Sequence, residues 1–358
     1  MYHKMPQIWC ARAAFVESRY NSKLMEELIG RNFGPYRLEK IIGRGGMGTV
    51  ILAHEEELDR RVAVKVLSAS LGADREFVER FSREARYLAS ISHPNLIHVY
   101  SIGHTEDGYH YMAMEYIEGR TLDDVLKSTD QLSLRRTWQI SGQILGALAA
   151  IHTAGLLHRD IKPSNIMLNG NDRAVLMDFG LAKDPEAKGI TRDGIIAGTP
   201  EYMSPEHARG EELDSRTDLY SLGVTVYEML TGRVPFKAKS AINVLRMHCE
   251  EEVPDISEER EDLPAGVSVV IRMALAKSRD ERFTDATEMA AEMAKVHSTT
   301  ELLDIAARTR ASTLSQTRVV DSAVTPAMAS ETKGMSESPT TSASKGSNRF
   351  LYIGFGFL

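Results

Sequence analysis

Eight consecutive residues, His158-Arg159-Asp160-Ile161-Lys162-Pro163-Ser164-Asn165, gather a histidine, an arginine, an aspartate, a lysine and an asparagine, with a proline stiffening the middle. Thirteen residues past Asn165 the chain reads Asp178-Phe179-Gly180. Two acids and an amide so close together, with basic groups among them, suit a site that holds a divalent cation and a polyanion. Carboxylate and amide oxygens are hard ligands, and the cations offset negative charge on what they face.

The elements that must position this stretch begin upstream. Residues 36–42 alternate well enough for a strand and lead into Gly43-Arg44-Gly45-Gly46-Met47-Gly48, a G-x-G-x-x-G match. That pattern also opens dinucleotide-binding units, but those need a helix directly after the glycines. Here residues 49–53 and 62–67 read as two further strands. Strand, glycine turn and strand make a hairpin flap whose bare N–H groups can approach phosphates. Lys65 lies inside the third, apolar strand, where a lysine is costly unless paired. An edge-strand lysine reaching into water is the bland alternative. Residues 74–91 place Phe77, Phe81, Leu88 and Ile91 at helical spacing with Glu84 on the same stripe. The reading favoured is a Lys65–Glu84 pair that leaves the lysine facing the phosphates, against local pairing of Glu84 with Arg80 or a neighbouring arginine.

Strand-like runs follow at 96–102 and 109–114, and Gly119 marks a flexible join between a small β-rich lobe (36–115) and a larger helical lobe (118–297). Clefts between such lobes are common ligand sites. Thr121 reads as the N-cap of a short helix to residue 127, and residues 134–152 as a longer one that delivers the chain to the opening stretch. Residues 166–168 and 174–177 form a hairpin ending at Asp178. Residues 219–230 are apolar on nearly all sides, which predicts a buried central helix. Asp218 at its start is either its N-cap or a bond to the backbone of the catalytic stretch. Residues 250–262 hold eight acids and one base and read as a solvated surface loop rather than a docking patch. Helix-like runs at 272–276 and 285–296 close the domain.

The flanks differ in character. Residues 1–33 show no sustained period and read as a leader, without the uninterrupted apolar stretch of a signal peptide. Residues 309–347 are Ser/Thr-rich and read as a disordered linker. The apolar run 350–358 is compatible with the start of a transmembrane span, and equally with a docking peptide or an incidental tail. A net charge of −7 over 358 residues argues against a chain-wide nucleic-acid binder. With two cysteines, no disulfide framework is expected, and a reducing, cytoplasmic setting fits best.

The order glycine-rich loop, Val-Ala-Val-Lys65, His-Arg-Asp160-x-Lys-Pro-x-Asn165, Asp178-Phe-Gly and Ser-Pro-Glu206 resembles a protein kinase, in particular the bacterial, eukaryotic-like (Hanks-type) serine/threonine kinases. The resemblance spans residues 36 to about 297. It implies an α+β, bilobal fold, ATP as phosphoryl donor, Mg²⁺ with Mn²⁺ as the alternative, and protein substrates, and it leaves dimerisation open. It further implies that Gly43, Gly45 and Gly48 cover the phosphates and that Lys65 holds them, fixed by Glu84. Asn165 and Asp178 would carry metal, Asp160 would accept the proton of the substrate hydroxyl, and Lys162 would stabilise the transferring group. Val50, Ala63 and Met167 would sandwich the adenine, with Glu115 and Ile117 bonding its edge through their backbone and Met114 as gatekeeper. Thr199 would meet Asp160 and Lys162, a serine/threonine rather than tyrosine pattern, as is Lys162 itself. Glu206 would pair with Arg282. Arg159 would receive a phosphate on Thr191. A pseudokinase of the same fold is the alternative, but its usual mark, loss of Lys65, Asp160 or Asp178, is missing.

Overall fold

The structure, a computed structural model, describes residues 25–45, 47–179 and 199–296, with the backbone alone at Glu84. The readings made for residues 1–24, Thr191, 309–347 and 350–358 therefore lie outside the described residues. Among the described residues no helix is long and apolar enough to cross a membrane.

The strands are β1 (Asn32–Phe33), β2 (Tyr36–Gly45), β3 (Gly48–Glu55), β4 (Arg60–Leu67), β5 (Val99–His104) and β6 (His110–Glu115). They form one antiparallel sheet in the order β1-β2-β3-β4-β6-β5. Period-two alternation divides its faces. On β4 and β6, Val62, Val64, Val66, Tyr111 and Ala113 bury on one side, whereas Ala63, Met112 and Met114 bury on the other, toward the main core. The first side is closed by residues read from sequence as leader: Met25, Leu28 and Phe33 are buried there. Residues 25–33 are thus part of this lobe, because an apolar sheet face needs a cover and these three side chains provide it.

After a single turn of helix, α1 (Ala69–Gly72), comes α2 (Arg75–Ser90), capped by Asp74, whose carboxylate accepts from the N–H groups of Glu76 and Phe77. Its stripe of Phe77, Phe81, Ala85 and Leu88 packs into the main core. The strand expected from residue 96 starts only at Val99. Leu96 instead makes an isolated parallel bridge with Leu176 in the other lobe, and Ile97 and Leu176 extend it through their backbones.

The second lobe opens with β7 (Gly119–Thr121), β8 (Ile166–Asn169) and β9 (Ala174–Leu176), a small antiparallel sheet. Gly119 is not there for flexibility. A Cβ on it would lie 2.1 Å from the Leu168 carbonyl oxygen, so the β7–β8 pairing admits only glycine. Helices α3 (Leu122–Thr129) and α4 (Leu134–Thr153) follow, with Thr121 and Asp124 forming a capping box at the start of α3. Beyond them lie α5 (Pro205–Arg209), α6 (Ser215–Thr231), α7 (Ala241–Glu250), α8 (Ile256–Glu259), α9 (Ala265–Ala274) and a last helix over 286–296. Helix α6 is buried on nearly every side, as its largely apolar run over 219–230 predicts, and Gly232 ends it in a left-handed turn. Helix α9 begins seven residues earlier than the run read at 272–276.

The acidic stretch 250–262 is not simply a solvated loop. It contains α8, Ile256 is buried, and Glu259 accepts from both Tyr227 and Arg233. Acid-rich composition hid these contacts because their partners come from distant residues.

Candidate active site

The two lobes enclose a cleft of about 570 Å³. Its roof is the β2–β3 hairpin, paired Gly43 with Val50, Arg44 with Thr49 and Gly45 with Gly48. Gly48 has no alternative, since a Cβ there would lie 2.0 Å from the Val66 carbonyl oxygen. Val50, Ala63, Met114 and Met167 supply apolar walls, and Glu115 and Ile117 line the connection between the lobes. Ile97 and Met177 also line the cleft, although sequence reading gave neither a role there. Met177 is recoverable in principle, because it directly precedes Asp178 at the end of the second hairpin.

Lys65 sits on β4, between β3 and β6, opposite Val50 and Met112. A central strand excludes the edge-lysine reading, and the residue is 7% exposed. Its Nζ donates to Asp178 Oδ1 at 2.6 Å. The described partner of the buried cation is thus Asp178. The Glu84 side chain, named from sequence for that role, lies outside the described residues.

Asp160, Lys162 and Asn165 converge on the cleft floor. Asn165 Nδ2 donates to both the carbonyl oxygen and Oδ2 of Asp160, each at 2.8 Å. Lys162 Nζ stands 3.0 Å from Asp160 Oδ2 and donates to Thr199 Oγ1 at 2.9 Å. With its amide nitrogen turned to Asp160, Asn165 keeps its carbonyl oxygen for a ligand, and Asp178 keeps a second carboxylate oxygen. One carboxylate and one amide oxygen fit a hard divalent cation whose other positions are filled by phosphate and water. They are too few to hold a metal alone, and no cluster of three or more His, Cys, Asp or Glu suited to a metal occurs among the described residues.

The backbone under this floor is held by Asp218, which is fully buried and accepts from His158 N at 2.9 Å, Arg159 N at 2.8 Å and His152 Nε2 at 2.8 Å. Of the two roles left open for Asp218, the bond to the backbone of residues 158–159 is the one observed; Asp214 is the N-cap of α6. Burial pushes the Asp218 carboxyl up, but the His152 hydrogen bond and charge, with His158 beside it, outweigh this and leave it below the usual range. Arg159 and Asp178 adopt left-handed backbone, φ 64° and 44°, an arrangement non-glycine residues keep only where surrounding contacts impose it.

His158 is buried and its proton placement follows from its partners. Nε2 faces the Met177 carbonyl at 2.9 Å and must donate, so Nδ1 is free to accept from Asp160 N at 3.3 Å. Burial holds its pKa below the ordinary value, and its ring packs 4.6 Å from Phe179. That is a structural histidine. Glu206 and Arg282 form a bidentate pair at 2.8 Å beneath the segment that carries Thr199.

A two-lobed fold with a glycine roof, a buried lysine and this acid–amide–lysine floor is that of a protein kinase. Residues 36–297 match the protein kinase domain, and the chain belongs to that family, on its bacterial, eukaryotic-like serine/threonine branch. It is 40% identical over 295 residues to the serine/threonine-protein kinase pkn3 of Myxococcus xanthus, covering 79% of this chain and 54% of the relative. It is 40% identical over 267 residues to PknB of Mycolicibacterium smegmatis (73% and 43% covered) and 37% over 267 to PrkC of Bacillus subtilis (74% and 41%). The chain thus spans about half the length of these curated relatives, or less. Among solved structures, the Mycobacterium tuberculosis PknI kinase domain superposes with a TM-score of 0.60 at 30% identity, covering 75% of this chain and 98% of that one. Family membership implies ATP and a divalent cation as what the cleft takes.

Proposed function

We propose that this protein transfers the γ-phosphoryl group of ATP to serine or threonine hydroxyls of other proteins. The observation that carries the reading is the convergence of Lys65, Asp160, Lys162, Asn165 and Asp178 on one cleft, with Thr199 tied to Lys162 at 2.9 Å. Such a transfer asks a protein for little covalent work; positioning and charge neutralisation do most of it.

In this reading Val50, Ala63 and Met167 clasp the adenine, the backbone of Glu115 and Ile117 bonds its edge, and Met114 closes the pocket behind. The backbone of Gly43, Gly45 and Gly48 covers the phosphates. Lys65, released in part from Asp178, takes up the non-transferring phosphates. Asn165 and Asp178 would hold Mg²⁺, which neutralises phosphate charge when bound. Asp160 orients the acceptor hydroxyl and takes its proton. Lys162, between Asp160 and Thr199, stabilises charge on the group in transit and fixes the distance between acceptor and base. Arg159 adjoins the base and would receive a regulatory phosphate on Thr191 through arginine pairing.

One assay tests the scheme: labelled ATP and a generic protein substrate, with the wild type, Asp160→Asn and Thr191→Ala. Positioned acid–base groups contribute roughly 10²–10⁴-fold, so Asp160→Asn should lose that much while still binding ATP. Equal transfer by both would remove Asp160 from its role. No transfer by the wild type, with ATP still bound, would favour a scaffolding module. Full activity and undiminished phosphate uptake in Thr191→Ala would remove Thr191.

A further inference from the structure

His248, on α7, is 0% exposed, lies outside the cleft lining, and has no part in the mechanism above. Its two ring nitrogens are both engaged. Nε2 is 3.0 Å from the carbonyl oxygen of Glu201, and Nδ1 is 2.8 Å from the Tyr220 hydroxyl on α6. A carbonyl oxygen can only accept, so the proton belongs on Nε2. Nδ1 is then an acceptor, and Tyr220 is its donor. The environment favours this neutral form: burial and the neighbouring Lys277 charge both disfavour a second proton and hold His248 down to about 4. Lys277 itself is fixed. Its Nζ donates to the carbonyls of Met247 and His248, at 3.2 and 2.9 Å, at the end of α7, and stands 4.3 Å from the centre of the Phe236 ring.

What His248 holds is the turn that follows Thr199, beside Lys162 and Asp160. Glu201 lies in the short 3₁₀ helix Pro200–Tyr202, directly after Thr199. Thr199 accepts from Lys162, and Lys162 faces Asp160. At its other end the turn is anchored by α6: Ser221 donates to the Tyr202 carbonyl at 2.7 Å, and the Tyr202 hydroxyl donates to Glu228 at 2.6 Å. Between these anchors the Glu201 carbonyl has one described donor, His248. The connection continues inward, since Tyr220 lies under the guanidinium of Arg282, 4.8 Å from its ring centre, and Arg282 grips Glu206.

We propose that His248, as the neutral tautomer protonated on Nε2, is a positioning residue for the phosphoacceptor. It clamps the Glu201 carbonyl to α7 and so fixes the height of the segment on which the acceptor chain rests relative to Asp160. The inference depends on the kinase reading and adds to it a residue distant in sequence from every motif. It predicts a selective defect: acceptor binding weakens while ATP, whose cleft is lined by neither His248 nor Glu201, is unaffected.

The test uses the whole chain with saturating and limiting peptide and ATP. His248→Phe fills the space without a donor; His248→Gln keeps an N–H within reach of the same carbonyl. Losing one buried hydrogen bond of this kind should raise the peptide KM about tenfold in His248→Phe, with the ATP KM within about twofold of wild type. His248→Gln should recover most of the difference, which a purely space-filling role would not give. A folded His248→Phe with an unchanged peptide KM overturns the proposal, as does an ATP KM that rises in step. The wild type gives an independent reading that needs no variant to fold: imidazole ¹⁵N shifts at neutral pH should report Nε2 protonated and Nδ1 bare for His248, and the opposite tautomer or an imidazolium refutes the clamp. A wild type that phosphorylates no peptide at all sinks the kinase reading instead.

Discussion

Two ion pairs of similar length sit in this molecule in opposite conditions. Lys65 and Asp178 meet at 2.6 Å with side chains 8% and 38% exposed, and only one bond between them is present. Arg282 and Glu206 meet at 2.8 Å with side chains 0% and 3% exposed. The second pair is saturated: Arg282 also donates to the carbonyls of Ala276, Arg216 and Lys277, and Glu206 accepts from Thr217. A buried charge left short of partners is costly, so a permanent structural pair must use nearly all its hydrogen-bonding capacity. A pair that, in the proposed mechanism, opens toward phosphate and metal keeps capacity in reserve at the edge of solvent. Saturation therefore separates structure from chemistry here better than distance does.

That contrast gives its largest prediction at Arg282. Arg282→Met leaves a buried carboxylate unpaired and should cost about 3–5 kcal/mol of stability. The corresponding change in the cleft, Lys65→Met, leaves Asp178 partly hydrated and should cost little stability, while transfer falls roughly 10²–10³-fold as for loss of one charge-stabilising donor. Urea titrations and turnover measured on both variants decide it. If Lys65→Met proved as destabilising as Arg282→Met, the two pairs would not differ in kind.

The next effect is on pH. Burial pushes Glu206 up, but the bonds from Arg282 and Thr217 outweigh it and hold its pKa down to about 2, from a usual 4.5. The folded state therefore binds this proton more weakly than the unfolded chain does. Its contribution is whole above about pH 4.5, shrinks as pH falls and is gone near pH 2, a change of about 3 kcal/mol. Stability measured against pH should slope steeply there in the wild type and flatten in Glu206→Gln. Equal slopes would assign the acid sensitivity to other carboxylates such as Asp214, which is also held down to about 2.

What could be read from sequence divides along the same line. Asp160, Lys162, Asn165 and Asp178 were legible because they are packed into two short motifs, and ligand chemistry dictates residue types there. Lys65 was legible as a misplaced charge; its described partner Asp178 lies 113 residues away, and the side chain of Glu84, which a helical stripe suggested, lies outside the described residues. The Glu206–Arg282 pair was named only through the family resemblance, and the further bonds that saturate it left no mark in the sequence. His248 sits in an ordinary amphipathic helix, and its partners Tyr220 and Glu201 are fixed only by how α6 and α7 pack. Residues 25–33 looked like a leader because three apolar residues spread among polar ones do not show what they cover; Met25, Leu28 and Phe33 pack on the face of the sheet. Gly119 read as flexible because sequence does not show a carbonyl 2.1 Å from an absent Cβ.

Arg173 lies between the two conditions, and it offers the smallest and sharpest test. It projects from the turn between β8 and β9, donating from Nε to the Pro94 carbonyl at 2.8 Å and from Nη1 to Glu115 Oε1 at 3.0 Å. One side chain thus ties the second lobe to the loop before β5 and to the residue whose backbone would bond adenine. Side-chain exposures of 38% and 23% in the Arg173–Glu115 pair place it nearer the Lys65 type, so little global stability should rest on it. Its loss should instead loosen the connection between the lobes where the nucleotide edge docks. Arg173→Ala is expected to raise the ATP KM about fivefold, roughly 1 kcal/mol, with the peptide KM unchanged, the reverse of the His248→Phe pattern. Arg173→Lys should recover only part, because a single ammonium lacks the planar fork that spans both acceptors. An unchanged ATP KM in Arg173→Ala would mean that the interlobe connection is held by backbone contacts such as Ile97 N to the Leu176 carbonyl, and would place Arg173 with the surface pairs that contribute nothing measurable.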